Sequence, residues 1–397
     1  MAPPATPTRV IITWALAGRF ATVAWCILSD LVFPDHAATD VERWTTDDHA
    51  VLPLWLTRPF TRWDAAHLLR VARFGYVDER DAAFFPLFPF LVRAATKLLP
   101  FLAEAERYVV AGTLLSNACF VGAALLACDA TRHFRPDLAR KAAWAFCATP
   151  ASVFCTVPYT EALAALLGFG GCALLGRNRP WLAAVALSCV AGTRSNGCLL
   201  ALVIVADGLA RAAPKRGRYA QLLATSLRSA AVLLPPVTKD LWHYHQQCPG
   251  AAWCSRGSAF AHAQASGWGV GLLSYWRLTQ IPNFLLAAPA LGLACVACVD
   301  IWRRRPLLKR LVADLRSGDD GARLYAVELA LGAHVAATAG LCLFVAHVEI
   351  ATRLLACGCL PFSWALAARG DRPAVRWYAL IFCVVGPAAH CNFLPWT

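Results

Sequence analysis

Long apolar runs, separated by short polar connectors, recur along almost the whole chain. Many of these runs are about 15–24 residues long, close to the ~20 residues that an α-helix needs to cross a bilayer. The runs are continuously apolar and lack the alternation that marks the strands of a membrane β-barrel. The pattern therefore predicts an all-α polytopic membrane protein with roughly 8–12 transmembrane helices.

The apolar runs place the predicted spans at about 10–33, 107–128, 142–157, 160–176, 180–193, 197–210, 221–238, 283–302, 324–346, 353–368 and 374–390. The first run continues past Arg19, so we interpret it as an uncleaved membrane helix rather than a signal peptide. Residues 86–103 are apolar but interrupted by prolines, and we expect a re-entrant or interfacial segment there. One membrane domain is predicted over 1–397, with long polar loops at about 34–85 and 239–282.

Composition and charge agree with this interpretation. Of 397 residues, 58% are hydrophobic and 15% are charged, and the mean hydropathy is +0.51, whereas a soluble domain carries roughly a quarter charged residues. The net charge of +13 comes largely from basic residues in the short connectors. These residues are Arg132/Arg135/Arg140/Lys141, Arg177/Arg179, Arg211/Lys215/Arg216/Arg218, Arg303–Arg305 with Lys309/Arg310, and Arg369/Arg372. Cytosolic loops carry such an excess of basic residues, so topology explains the charge and no nucleic-acid partner is predicted.

Placing the basic connectors in the cytosol requires a break between the runs 180–193 and 197–210, at Arg194-Ser195-Asn196-Gly197. The lumen then receives the first loop, this break, the loop 239–282 and the segment His347–Arg353. We expect the polar chemistry to gather on that side. Most of the 17 cysteines lie singly in apolar runs, but Cys248 and Cys254 flank a polar loop and are the candidate disulfide of an oxidising compartment.

The first loop contains the most informative stretch, RWDAAHLLRVARFGYVDERDAAFFPLFP at residues 62–89. Asp64 and His67 are three positions apart, which places a carboxylate and an imidazole on one face of a short helix. Such a pair could deprotonate and orient a sugar hydroxyl at the membrane surface. The alternative is an amphipathic interfacial helix in which Asp64 caps the helix or pairs with Arg62 or Arg70.

A second acidic stretch, Asp78-Glu79-Arg80-Asp81, could bind a divalent cation through oxygen ligands or form a solvated turn with internal ion pairs. No zinc-ligand spacing stands out, and no metal is predicted. Tyr159-Thr160-Glu161 opens the run 160–176, where an acid in the first turn is ordinary helix capping. A role for Glu161 in a site is the less favoured interpretation.

Arg194 and Arg353 lie at the ends of apolar runs, where charged residues are costly and an anionic partner is expected. A lipid phosphate suits the planar fork of guanidinium donors, although arginine can also extend to the interface. His347 and Glu349 accompany Arg353 in HVEIATR, as a site or as a simple polar turn. The chain lacks a phosphate-binding P-loop and a dinucleotide turn, so a glycosyltransferase of this kind would need a donor already in the membrane.

Six stretches resemble the GPI mannosyltransferase 2 (PIG-V) family in the family's order. They are WDAAHLLRVARFGYVDERDAAFFPLFP, PYTEAL, TRSNG, QIPNFLLAAPA, HVEIATRLL and the terminal HCNFLPWT. Arg19 and the following FPDH also resemble the family's first helix and loop entry, so the resemblance spans the chain from Asp35 to Thr397. The resemblance implies a GT-C glycosyltransferase fold in the endoplasmic-reticulum membrane, with a luminal active site in the first loop. It implies dolichyl-phosphate mannose as donor and mannosyl-glucosaminyl-phosphatidylinositol, a GPI precursor, as acceptor, joined by an α1,6 linkage. No cofactor is expected, and metal binding and an accessory membrane subunit are left open.

The residues that the resemblance carries onto this chain are Trp63, Asp64, His67, Gly75, Tyr76, Glu79, Phe84, Phe85, Pro86, Pro89, Tyr159, Glu161, Arg194, Asn196, His347 and Arg353. Of these, Asp64, His67 and Glu79 are the predicted catalytic residues. The predicted substrate-binding residues are Trp63, Tyr76, Tyr159, Glu161, Arg194, Asn196, His347 and Arg353. The chain departs from the family pattern at Leu68, Leu87 and Glu349, the last in place of an amide.

The resulting hypothesis is an inverting displacement in which Asp64 removes the proton of the acceptor hydroxyl, and Arg194 or Arg353 stabilises the departing phosphate. Three alternatives remain. They are a mannosyltransferase of N-glycan assembly, a transporter or lipid scramblase, and a non-catalytic assembly subunit. The sequence shows no inverted repeat of the kind that favours a transporter.

Overall fold

The computed structural model describes residues 8–36, 44, 50–214, 217–251, 253–304, 308–394 and 396. Regular structure in these ranges is entirely helical. Four residues named above lie outside the described residues, namely Lys215, Arg216, Arg305 and Thr397.

The α-helices within the described residues are α1 Thr8–Val32, α2 Leu54–Thr57, α3 Asp64–Phe74, α4 Leu87–Ala95, α5 Glu104–Phe134, α6 Ala139–Cys147, α7 Glu161–Gly176, α8 Pro180–Ala191, α9 Ala201–Ala212, α10 Arg218–Gln247, α11 Ala259–Trp268, α12 Ile281–Arg303, α13 Leu308–Ser317, α14 Asp320–Phe344, α15 Ala351–Gly358, α16 Leu360–Ala368 and α17 Pro373–Cys391. Short 3-10 helices lie between them at Arg58–Phe60, Glu79–Ala83, Thr96–Leu98, Pro136–Leu138, Val153–Cys155, Ser195–Leu200, Cys254–Arg256, Leu278–Gln280 and Val348–Ile350.

Six helices in the described part of the chain are long and apolar enough to cross a membrane, and the bent pair formed by 348–358 and α16 would make a seventh. The all-α, multi-pass prediction is confirmed. The number of qualifying spans is lower than the 8–12 expected. Part of the reason is that α7 and α8 are apolar but shorter than a full span.

Two predicted spans are wrong in detail. The predicted span 142–157 is interrupted, because α6 ends at Cys147 and a buried irregular segment follows before α7 begins. The residue before a proline is disfavoured in helical conformation, and Thr149-Pro150 lies at this break. The predicted span 353–368 bends by 86° between α15 and α16, where Gly358 ends one helix and Pro361 lies in the first turn of the next.

The predicted break at Arg194 is present. Helix α8 ends at Ala191, and a 3-10 helix begins at Ser195. A side chain at Gly197 would lie 2.7 Å from the backbone nitrogen of Ala191, so this turn packs against the end of α8 only because residue 197 has no Cβ. The close packing fixes Arg194 at the end of the helix.

The core brings the first loop and the later helices together. Helix α5 packs along α7, and α7 packs against α8 and α15. A Cβ at Gly112 of α5 would lie 2.8 Å from the Cβ of Pro158, so the segment just before α7 lies directly on α5. This contact places Tyr159 next to α3, which also packs on α5.

Candidate active site

Asp64 is the first residue of α3, and the start of this helix is anchored on both sides. Trp63 precedes it in a left-handed backbone conformation with φ of 56°, and its indole N–H donates to the carbonyl oxygen of His390 at 3.1 Å. The backbone N–H of Asp64 donates to the Tyr159 hydroxyl oxygen at 3.1 Å. These contacts hold the Asp64 carboxylate between the segment before α7 and the end of α17.

An ion-pair network fixes the chain just before Trp63. Asp30 at the end of α1 is fully buried, and its carboxylate accepts from Arg58 at 2.6 Å and from Arg62 at 2.8 Å. Arg62 also contacts Asp35 at 3.0 Å and lies over the ring of Phe393. Arg62 is therefore engaged with α1 and not with Asp64, which excludes one of the structural alternatives for Asp64.

The Asp64 carboxylate pairs with Arg353 of α15. The distance from Arg353 Nη1 to Asp64 Oδ2 is 2.7 Å, and the two side chains are 17% and 29% exposed. Burial raises the pKa of Asp64, but the charge of Arg353 and its hydrogen bond outweigh burial and hold that pKa below its usual range. The carboxylate is therefore ionised at neutral pH.

Glu161 joins this pair to a second arginine. Its Oε1 atom lies 3.7 Å from Arg353 Nε and 3.0 Å from Arg194 Nη2. Glu161 is the first residue of α7, and its side chain is only 2% exposed. The four side chains form a chain of alternating charge, in the order Asp64, Arg353, Glu161 and Arg194, which we call the charge chain. Glu161 bridges the two arginines and does more than cap a helix.

The charge chain leaves hydrogen-bond donors without acceptors. Arg194 Nε and Nη1 and Arg353 Nε are buried and make no hydrogen bond within the protein. Buried donors in native proteins nearly always have a partner, so each exception calls for an explanation. Phosphate oxygens accept from guanidinium groups in a planar, two-pronged geometry. These donors fit an anionic, oxygen-rich ligand.

A second polar group contains His347 and Glu349. The imidazole of His347 stacks on the ring of Tyr275 at 4.4 Å, and its Nδ1 lies 3.4 Å from Glu349. Glu349 accepts from the Tyr275 hydroxyl at 2.9 Å, and Asn283 donates to the same hydroxyl at 2.7 Å. Burial, together with the Glu349 carboxylate, raises the pKa of Tyr275. His347 and Glu349 lie six and four positions before Arg353 along the chain.

The remaining predicted residues of the first loop lie in an aromatic cluster. The ring of His67 stacks on Phe84 at 5.0 Å and lies 5.8 Å from Trp268 of α11. Tyr76 donates its hydroxyl hydrogen to the carbonyl oxygen of Phe84 at 3.0 Å, and its ring lies 4.7 Å from that of His243. Stacked aromatic faces of this kind are a suitable surface for a sugar ring or a lipid.

Glu79 lies in the acidic turn, where it is half exposed and contacts His262 of α11 at 3.5 Å. The carboxylate of Asp81 is fully buried and accepts from Arg70 and from the backbone N–H groups of Val77 and Asp78. The acids of this turn serve ion pairs and capping, as the structural interpretation expects. Among the described residues, no group of three or more acidic, histidine or cysteine side chains is arranged to hold a metal ion.

Asn196 is buried in the 3-10 helix that follows Arg194. Cys248 and Cys254 form a disulfide in the loop that packs on the acidic turn, through a small core of Ala82, Trp253, Ala259 and Ala263. Lys239 of α10 donates to the carbonyl oxygen of Ala82. The second loop is thereby docked onto the first.

The site contains residues that the sequence analysis did not single out. Tyr275 and Asn283 bind Glu349, and buried His390 packs against Tyr159 at 5.5 Å. Asn283 and His390 fall in the stretches QIPNFLLAAPA and HCNFLPWT, so these stretches were the available signal. Their side-chain partners are distant in the sequence and follow from no local spacing.

Comparisons with known proteins identify the family to which the chain belongs. The model of the family described as Mannosyltransferase (PIG-V) matches residues 10–397. The rat protein GPI alpha-1,6-mannosyltransferase 2 is 28% identical over 98% of both chains. The human protein of that name is 26% identical over 99% of this chain and 100% of its own. The fission yeast GPI mannosyltransferase 2 is 28% identical over 57% of this chain and 50% of its own.

Among solved structures, the chain is similar to the archaeal oligosaccharyltransferase AglB of Archaeoglobus fulgidus, determined with an inhibitory peptide and a dolichol-phosphate. The TM-score is 0.47 with 11% identity, over 97% of this chain. The matched region covers 56% of the archaeal protein, about half of its length.

Proposed function

This chain belongs to the mannosyltransferase (PIG-V) family and is a glycosyltransferase, and we propose that it adds the second, α1,6-linked mannose to the GPI-anchor precursor. The donor is dolichyl-phosphate mannose, and the acceptor is mannosyl-glucosaminyl-phosphatidylinositol. The reaction takes place on the luminal face of the endoplasmic-reticulum membrane. The names of the rat and human relatives, which match over nearly the full length, support this assignment.

The observation that carries the proposal is the charge chain. It combines the ionised carboxylate of Asp64, in the first loop, with two arginines that have buried hydrogen-bond donors without an acceptor in the protein. A transfer from a lipid phosphate needs a base for the incoming hydroxyl and a stabiliser for the departing phosphate. Asp64 supplies the first, and Arg353 and Arg194 supply the second.

The chemical step is a single displacement with inversion. Asp64 accepts the proton of the acceptor's 6-hydroxyl while that oxygen bonds to the anomeric carbon of mannose. The bond from the anomeric carbon to the phosphate oxygen breaks, and its electron pair leaves with dolichyl phosphate. Because the leaving group is already a stable anion, no acid needs to protonate it.

The ion pair of Asp64 with Arg353 gives the step an internal charge balance. When Asp64 takes the proton, its negative charge is lost and the attraction that it exerts on Arg353 falls. The departing phosphate gains one negative charge at the same moment. Arg353 can therefore exchange one anionic partner for another without leaving a buried charge unpaired.

The two other groups have supporting roles in this proposal. The cluster around His347 and Glu349 offers hydrogen-bond donors and acceptors for the acceptor glycan. The aromatic surface of His67 and Phe84 provides an apolar face for a sugar ring. Trp63 and Tyr159 fix the position of Asp64 through the contacts described above.

The test is complementation of cells that lack the second GPI mannose, with the wild type and Asp64→Asn. Removing a positioned base typically lowers the rate about 10²–10⁴-fold, so Asp64→Asn should fail to restore surface GPI proteins while it accumulates normally. Asp78→Asn is the matched control, since Asn can still cap the turn as Asp78 does. Near-wild-type transfer by Asp64→Asn would contradict the assignment, as would labelling that places residue 64 in the cytosol.

A further inference from the structure

An open apolar groove lies between α4, α8 and α10, and one of its lining residues, Gly192, precedes Arg194 by two positions. Its volume is about 370 Å³, within the range of small-molecule sites. The walls are formed by Pro86, Leu87, Phe90, Cys189, Gly192 and Pro235. The hydroxyl of Ser188, which also lines the groove, donates to the carbonyl oxygen of Ala231 at 2.7 Å. The groove therefore offers an apolar surface to its occupant.

The groove opens to the outside of the protein. Phe90 is 64% exposed at its edge, and Leu234, next to Pro235 on α10, is 56% exposed. An exposed apolar edge of this kind on a membrane protein is suited to contact with lipid. A lipid chain can enter the groove sideways without crossing a polar surface.

One end of the groove lies at the turn that carries Arg194. Gly192 lines the groove, and its carbonyl oxygen accepts from the backbone N–H of Leu87 at 3.1 Å. Consecutive Cα atoms are 3.8 Å apart, so the Cα atoms of Gly192 and Arg194 are separated by at most about 7–8 Å. The backbone of Arg194, whose side chain has unpartnered Nε and Nη1 donors, is thus close to the wall of the groove at Gly192.

We propose that this groove binds the first isoprene units of the donor's polyprenyl chain, with the phosphate at Arg194. A prenyl phosphate joins an anionic head directly to an apolar chain. The groove and Arg194 present the matching surfaces in the same order. This inference rests on the proposed use of a lipid-phosphate donor, and it specifies where the lipid lies.

The test compares two donors with two tryptophan variants of α8. Cys189→Trp fills the groove, whereas Val185→Trp, at a position 60% exposed on the same helix, adds the same side chain on the outer surface. The donors are dolichyl-phosphate mannose and its short-chain analogue methyl-phosphate mannose, which has no isoprene units. We expect Cys189→Trp to lower kcat/KM for the dolichyl donor at least about tenfold more than for the short donor. Val185→Trp should leave both unchanged.

Equal losses with both donors, or no loss with either, would overturn the assignment of the groove. A wild type that uses neither donor would instead refute the proposed function, so the two failures are distinguishable. If Cys189→Trp does not fold, photocrosslinking of the wild-type protein with a benzophenone-tagged prenyl phosphate decides the question. Adducts on α4 or α8 at the groove support the proposal, and adducts confined to other surfaces, or competition by phospholipid alone, contradict it.

Discussion

Replacing Arg194 tests the phosphate site most directly, because this side chain has a defined partner and two unused donors. Nη2 is engaged by Glu161 at 3.0 Å, while Nε and Nη1 have no acceptor in the protein. A substitution to Gln removes the charge and the two free donors together. A substitution to Lys keeps the charge that Glu161 requires but loses the planar fork.

The expected magnitude follows from the number of free donors. A hydrogen bond to a charged group contributes about 1.5–3 kcal/mol net, so two bonds to phosphate give about 3 kcal/mol at the lower end. At about 1.4 kcal/mol per factor of ten, Arg194→Gln should lower kcat/KM for the donor about 100-fold. Arg194→Lys should lose about one such bond, which corresponds to about tenfold.

The assay is mannosyl transfer by purified protein in detergent or nanodiscs, with the donor and the acceptor varied separately. We expect the loss to appear with the donor and in weaker product inhibition by dolichyl phosphate, while the KM for the acceptor changes little. Arg177→Gln is the control, since Arg177 is half exposed and pairs with Asp129 away from the charge chain. Thermal unfolding of each variant separates a loss of binding from a loss of stability. Donor kinetics within about threefold of wild type in a stably folded Arg194→Gln variant would refute the phosphate site.

Three further outcomes are expected. Arg353→Gln removes the largest effect that opposes burial, leaves the smaller effects of His67 and His390, and so raises the pKa of Asp64. The acid limb of the kcat/KM profile should therefore move to higher pH; an unmoved limb would show that Asp64 is not the titrating base. Asp207→Asn should destabilise the protein by about 3–5 kcal/mol in thermal unfolding, because the buried carboxylate of Asp207 contacts three arginines. Asp320→Asn is the control, because the side chain of Asp320 is 67% exposed, and it should cost less than about 1 kcal/mol in the same measurement. Tyr159→Phe should lower transfer less than about tenfold, since it removes one neutral hydrogen bond; a loss as large as that of Asp64→Asn would give Tyr159 a direct chemical role.

The helical membrane fold was predictable because its signal is local. Apolar runs of suitable length and the positive-inside rule located most helices and the break at Arg194. The same reasoning failed where a continuous apolar run changes direction. Thr149-Pro150 and the Gly358–Pro361 segment interrupt helices within apolar sequence, and a count of hydrophobic residues does not register such breakers.

The sequence predicted which residues belong to the site, but it did not predict which of their side chains contact one another. The three-residue spacing of Asp64 and His67 suggested a cooperating pair, yet Asp64 contacts Arg353, which is 289 positions away. The imidazole stacks on Phe84, and it lowers the pKa of Asp64 less than Arg353 does. Spacing along a helix shows which side chains share a face, while the partner of each depends on which other segments pack on that face. Only the packing of α3 against α5 and the segment before α7 decides this.

The same packing explains why Glu161 was undervalued. An acid at the start of a helix is stabilised by the helix dipole and needs no further partner, so sequence alone favours capping. In the structure its carboxylate is buried between two arginines. Without it Arg194 would lose this contact, while Arg353 would keep its pair with Asp64. Removing one member of a buried ion pair usually costs more than the pair contributes, because the other charge is left without compensation. The charge chain therefore behaves as a unit, in which a phosphate bound at the free donors of Arg194 would share that arginine with the carboxylate of Glu161.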